Sequence, residues 1–184
     1  MLRTTVPVAA LALLLNAGPT AASRAWFAED DPFLLSLGVG AAQIFDDHRE
    51  IFWGVECRPA FRFFHIGPYL LFGTGKNEEF YAAAGVLLNL ELGRDWVLTP
   101  GFGAGYYNAS RGLDLGFDAE FRTAVEIAKR FRNGQRLGIS FSHLSNGSLS
   151  DENPGTETLG LSYSIPLDFF FRRTPAASVP ERPE

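Results

Sequence analysis

The sequence predicts an all-β protein, an eight-stranded antiparallel up-and-down transmembrane β-barrel. Three observations carry that prediction. Apolar residues alternate with a period of two over most of the chain, eight such stretches can be drawn, and the clearest are long enough to cross a bilayer. A tilted membrane strand needs about 9–11 residues, against about 5–6 in an ordinary globular sheet. Closing the eight strands into a barrel also removes the unpaired edges that an open sheet would expose.

The composition agrees. The chain has 184 residues, 46% of them hydrophobic and 20% charged, with one cysteine and a formal net charge of −5. That is one domain's length. A lone cysteine excludes an internal disulfide and any multi-cysteine metal site, and an acidic chain without a basic block is a poor partner for nucleic acid. No period-three glycine or sustained heptad is present, and the apolar content is too high for a wholly disordered chain.

Residues 1–23 read as a secretory signal peptide rather than as fold. Arg3 precedes an apolar run from Val6 to Leu15, and the small residues Thr20-Ala21-Ala22-Ser23 supply a cleavage site. A transmembrane helix needs about 20 apolar residues, and Asn16, Gly18 and Pro19 interrupt this run too soon. No other segment is long and apolar enough for a membrane helix, so the exported product either folds in water or crosses a membrane as a barrel.

The barrel is expected over 24–167, with strands at 33–45, 50–59, 65–73, 80–92, 95–107, 115–127, 136–146 and 157–167. From Phe80 to Leu92 one parity reads Phe80, Ala82, Ala84, Val86, Leu88, Leu90, Leu92, which is strand rather than helix. From Leu115 to Ile127 the contrast is sharper. Leu115, Phe117, Phe121 and Val125 should meet lipid, while Asp118, Glu120, Arg122 and Glu126, with Glu91 from the fourth strand, should form an ion-paired plug in the lumen. Gly38, Gly40, Gly101, Gly103 and Gly105 fall at alternate positions. No helix follows Gly105, so they read as small lumen-facing residues rather than a nucleotide loop.

Joins near Pro59-Ala60, Gly93-Arg94-Asp95 and Arg132 to Gln135 are short or carry tight-turn residues. Those near Asp46-Asp47-His48, Gly73 to Glu79, Asn108 to Asp114 and Gly147 to Thr156 are longer and more polar. Strict alternation of short and long joins places both chain ends on the periplasmic side of an outer membrane. Residues 168–184 should supply an aromatic girdle, Phe169-Phe170-Phe171, and a disordered Pro-rich tail.

Strand seven carries the unusual chemistry. Its apolar parity Leu137, Ile139, Phe141 continues as His143 and Ser145, and Glu157 shares the parity of Leu159, Leu161 and Tyr163 in strand eight. A register setting His143 opposite Glu157 brings their Cβ atoms to about 4.5–5.5 Å, with Ser145 two residues along the same face. Nucleophile, base and orienting carboxylate are the parts of a serine-hydrolase triad. Polar residues at strand ends also mark the edge of a bilayer, so the pattern alone leaves both readings open.

The local sequence His143-Leu144-Ser145-Asn146, then Asn153, Gly155 and Glu157, then Leu159 to Pro166, resembles the end of the lipid A 3-O-deacylase (PagL-type) family, also grouped as acyloxyacyl-hydrolase-like proteins. The resemblance implies an outer-membrane esterase acting on the 3-position acyl chain of lipid A, the lipid of lipopolysaccharide. It implies Ser145 as nucleophile, His143 as general base and then acid, Glu157 as the group holding the imidazole, and Asn153 as an oxyanion donor. A backbone N–H just after the nucleophile should assist, although Ser148 stands where a family glycine is expected. Asn146 and Gly155 match the motif as loop-shaping residues. Neither a metal nor an organic cofactor is expected, and a homodimer is allowed.

Two rival readings explain the alternation. A structural or small-solute outer-membrane barrel leaves the coincidence of His143, Ser145 and Glu157 unused. A soluble exported lipocalin-like binding barrel needs an apolar cavity, whereas the charged parity of strand six must face water or the lumen. His48 and His65 read as surface or interfacial residues, and Cys57 as a solitary small residue.

Overall fold

A computed structural model describes residues 31–45 and 49–167. The expected signal peptide, the loop residues Asp46, Asp47 and His48, and the 168–184 tail lie outside them. Nine strand segments follow in order: β1 Leu34–Ala42, β2 Glu50–Arg58, β3 Ile66–Gly75, β4 Phe80–Leu88, β5 Leu90–Leu92, β6 Trp96–Asn108, β7 Ala119–Arg130, β8 Arg136–Ser145 and β9 Thr156–Pro166. Both β4 and β5 pair with β6 in one register, Leu87 opposite Gly101 and Leu90 opposite Leu98, so they are one strand interrupted at Asn89. Chain neighbours pair antiparallel throughout, and β1 pairs with β9 to close the ring. The result is the closed eight-stranded antiparallel barrel expected from the alternation.

The alternation decides which solvent each residue meets. Leu37, Val39, Ile51, Phe72, Val86, Phe102, Ile139 and Leu161 are exposed on the outer wall, as befits strands whose solvent is hydrocarbon. Their alternate partners point inward and hold the polar groups. Arg58 donates from Nε to Glu56 at 2.6 Å and from Nη1 to Glu126 at 2.8 Å. Ser162 donates to the other oxygen of Glu126 at 2.6 Å. Arg122 lies 3.8 Å from Glu56 and over the ring of Tyr69, 5.8 Å from its centroid. Arg136 pairs with Asp31 nearer the end of the barrel where β1 begins. The rest of the filling is an apolar and aromatic cluster in which Tyr69, Leu71, Tyr81, Leu87, Tyr107 and Leu144 pack together. Apolar outside and ionic inside is the reverse of a soluble lipocalin, and the lumen side chains leave a cavity of about 130 Å³ between them.

The glycines on the lumen face behave as the narrow bore requires. A Cβ on Gly103 would collide with the Tyr69 hydroxyl, and one on Gly105 with the carbonyl of Ala82. The missing Cβ of Gly103 leaves room for Tyr69, and that of Gly105 lets β6 approach Ala82 and Ala83 of β4.

Five expectations need correction. Strand six was expected from residue 115 but begins at Ala119, because Asp114 Oδ1 accepts from the Gly116 N–H at 2.9 Å and Gly116 turns the chain at φ +83°. Leu115 therefore does not meet lipid; it is buried at 1% exposure in the cluster with Tyr107 and Leu144. Asp118 is exposed and takes no part in the plug. Glu91 sits at the rim, half-buried, paired with Arg130 at 2.7 Å. Short and long joins also do not alternate strictly, since the join 59–65 is longer than the join 76–79. In the former, Phe64 and His65 both take positive φ inside a two-way backbone bridge between Phe63 and Ile66.

Candidate active site

β8 points Arg136, Gly138, Ser142 and Leu144 inward, so Leu137, Ile139, Phe141, His143 and Ser145 line its outer face. On β9 the outer face carries Glu157, Leu159, Leu161 and Tyr163. The antiparallel register sets His143 directly opposite Glu157. Their side chains meet at 2.9 Å, Nδ1 to Oε1, with 43% and 26% of each exposed. An imidazole that donates from Nδ1 to a carboxylate keeps Nε2 as its basic nitrogen. Two of the three expected triad side chains are thus in contact, and the free nitrogen is the one a base requires.

Ser145 lies on the same face at the end of β8. Pairing of β8 with β9 stops at Leu144 opposite Thr156, while on the other side Ser145 is still held opposite Phe121 of β7. The serine is therefore anchored by one neighbour and open towards the loop 146–155.

That loop is built around Asn146, which is fully buried. Its Nδ2 donates to the carbonyls of Leu115 at 3.0 Å and Glu152 at 2.7 Å, and its Oδ1 accepts from Ser148 N–H at 3.0 Å. Its own N–H donates to Asn153 Oδ1 at 3.1 Å. Every polar group of the side chain is used, which a buried amide needs. With Asn153 Oδ1 committed to this bond, Nδ2 is the end of that exposed amide left to donate elsewhere. The N–H groups of Asn146 and Ser148 are both engaged inside the loop, so neither serves as the expected backbone assistant in this state. Ser148 takes a left-handed φ of +67°, the backbone state that suits glycine.

Gly155 enters β9 at φ +67°, and a Cβ there would lie 3.0 Å from Cε1 of His143 and 3.2 Å from the carbonyl of Leu144. The absent side chain is what lets the loop close over the imidazole. Gly116 plays the matching part in the neighbouring loop, where a Cβ would strike the Glu152 carbonyl. The two loops thus form one packed unit.

Two neighbours escaped the sequence reading. Leu115 was placed on the lipid face, yet its carbonyl anchors Asn146. Thr123 stands opposite His143 on β7, on the side away from Glu157; the signal was there, as the polar exception among Phe121, Val125 and Ile127. Phe121, opposite Ser145, stacks on Phe102 with ring centroids 6.1 Å apart.

A closed barrel with an apolar outer wall, bearing a serine and an imidazole–carboxylate pair on that wall, defines a class: membrane-spanning β-barrels with polar side chains grouped on the outer face. Within that class the chain belongs to the lipid A 3-O-deacylase (PagL) family, whose model matches residues 15–166. It is 33% identical over 100 residues to the lipid A deacylase PagL of Pseudomonas aeruginosa, a match covering 52% of this chain and 56% of that protein's length. The fold is similar to the crystal structure of the outer membrane enzyme PagL, with TM-score 0.62 and 20% identity over 72% of this chain and 99% of the other. It is also similar to Neisserial surface protein A, with TM-score 0.59 and 9% identity over 73% and 96% of the two chains.

Proposed function

We propose that this protein is an outer-membrane serine esterase that hydrolyses the 3-position acyl ester of lipid A. The observation that carries the reading is the 2.9 Å contact of His143 Nδ1 with Glu157, on the outer wall beside Ser145. Family membership supplies the substrate class. The end of the barrel opposite the start of β1 and the end of β9 then faces outward, and the site lies at the level of the outer leaflet, where lipid A presents its acyl esters. Substrate arrives by lateral diffusion, so the filled lumen is no obstacle.

In the reaction His143 Nε2 takes the proton of Ser145 Oγ as that oxygen attacks the ester carbonyl. Glu157 holds the ring through Nδ1 and stabilises the imidazolium. Asn153 Nδ2 donates to the oxyanion, a contribution worth about 10²–10³ in rate. The imidazolium then protonates the departing sugar oxygen. Water, deprotonated by the same imidazole, releases the acyl chain and restores the serine. Ester chemistry of this kind needs no metal or organic cofactor.

The test is mass spectrometry of lipid A from cells expressing the wild-type chain, Ser145→Ala or His143→Ala. The wild type removes one acyl chain and both variants leave it in place, although each still inserts as a folded barrel. Deacylation by Ser145→Ala at the wild-type rate would overturn the reading.

A further inference from the structure

The join 59–65 shows apolar side chains where its neighbours show polar ones. It lies at the end of the barrel where β1 begins and β9 stops, since Leu34 pairs with both Arg58 and Pro166. Two further joins at that end turn through Gly93-Arg94-Asp95 and Arg132-Asn133-Gly134. In 59–65, by contrast, Phe61, Phe63 and Phe64 are 66%, 64% and 80% exposed, more than Ile66, Leu70 and Phe72 on the outer face of the adjoining β3. Apolar surface grouped in this way marks a place that meets something other than water.

Phe64 and His65 are the two central residues of a tight hairpin, at φ 48° and 70°, closed by the paired backbone bonds of Phe63 and Ile66 at 2.8 and 3.0 Å. Such turns are ordinarily made by Asn-Gly, because a bulky residue at positive φ is strained. Here the strain is kept with a ring at the tip, set edge-on against Phe63 with centroids 4.5 Å apart. Strain of this kind persists where the surroundings impose it, and it clusters at functional segments. Arg62 imposes it from inside. Its guanidinium donates to the carbonyls of Pro59 at 2.6 Å and Phe61 at 2.9 Å, reaches Asp31 at 3.5 Å, and covers the inward-facing Gly67. The guanidinium is thus turned to the lumen side and the rings away from it. Phe63 is the bridge partner of Ile66, and directly opposed residues share a face. Ile66 opens the outer face of β3, followed by Leu70 and Phe72. The lipid-facing wall therefore continues from β3 into the hairpin.

We propose that the β2–β3 hairpin is a membrane anchor whose phenylalanine rings enter the adjoining leaflet, the inner leaflet of the outer membrane in the orientation given above. Continuity with the lipid wall favours phospholipid as the occupant over a periplasmic protein or a second copy of the chain. Aromatic rings suit the boundary between acyl chains and headgroups.

The experiment uses the full-length protein folded into vesicles of phosphatidylethanolamine and phosphatidylglycerol, in a Cys57→Ser background so that a single introduced thiol carries a nitroxide. Phe64→Cys reports on the hairpin tip, and Phe61→Cys takes its place if that variant fails to fold. Leu70→Cys marks the lipid wall, and Asn133→Cys marks the water side of the same end. For each label the collision rate with oxygen, which partitions into lipid, is divided by that with a water-soluble nickel chelate. The hairpin label gives a ratio close to that of Leu70→Cys and several-fold above that of Asn133→Cys. A hairpin ratio equal to that of Asn133→Cys overturns the proposal. So does protection from both relaxants, or dipolar broadening between labels, since either puts protein in the place of lipid. Deacylation is not read, so failure of the esterase reading leaves this result untouched.

Discussion

Replacing Gly155 by alanine tests whether the loop and the imidazole are positioned as one unit. Two costs can be worked from the geometry. The residue sits at φ +67°, where any residue with a Cβ loses about 1–2 kcal/mol relative to its preferred backbone. The new methyl would also lie 3.0 Å from His143 Cε1 and 3.2 Å from the Leu144 carbonyl, against an ordinary carbon–carbon separation of about 3.5–4.0 Å. The carbonyl belongs to the sheet and cannot retreat, so the ring must move by about half an ångström. Among the described residues its one hydrogen bond is to Glu157. A misplacement of about 1 Å costs roughly 10²-fold in rate, so about half that distance predicts a loss near tenfold. The loss should fall on kcat rather than KM, because the imidazole acts on the bond being made. Initial rates on lipid A in micelles, with thermal unfolding of the same samples, give both quantities. A Gly155→Ala protein with wild-type kcat and an unchanged unfolding midpoint would refute the reasoning.

Asn153→Asp keeps the acceptor for the Asn146 N–H but removes the amide donors, so kcat falls by about 10²–10³ while the unfolding midpoint holds; Asn153→Ala loses both. Arg58→Met removes the cation shared by Glu56 and Glu126, leaving Glu126 without an ion-pair partner in the lumen, and lowers stability by about 3–5 kcal/mol, part of which a second change, Glu126→Gln, restores in urea titrations. Burial, followed by the neighbouring Glu50, holds the Glu79 carboxyl above the usual carboxylate range. Wild-type stability is therefore greatest when Glu79 is protonated and falls as pH rises through its folded-state pKa. Glu79→Gln then unfolds at a higher temperature than wild type at neutral pH, and the difference closes as the buffer is acidified.

What the sequence determined by itself is what depends on near neighbours along the chain. A period of two is a property of each strand alone, so the lipid face of Ile127, Val125 and Phe121 could be read off directly. The pairing of His143 with Glu157 was nearly as legible. Antiparallel neighbours joined by one loop have few registers that keep Leu159 and Phe141 on the same wall, and the observed register opposes these two as well. Leu115 shows where such reading ends. Its parity matches the strand that follows, yet the Asp114–Gly116 turn breaks the strand, and the carbonyl of Leu115 is claimed by Asn146 from a different loop. Tertiary structure alone decided such matters, because they turn on which groups far apart in the chain compete for one partner. Closure of the barrel and the stagger of its strands bring Arg58 to Glu126 across the lumen. Packing of the two loops commits Asn153 Oδ1 to a backbone N–H and leaves its amide nitrogen to face outward. A hydrogen bond across the fold is chosen by geometry that no local pattern contains, since the loss on leaving a buried polar group unpaired is felt only once the strands have closed.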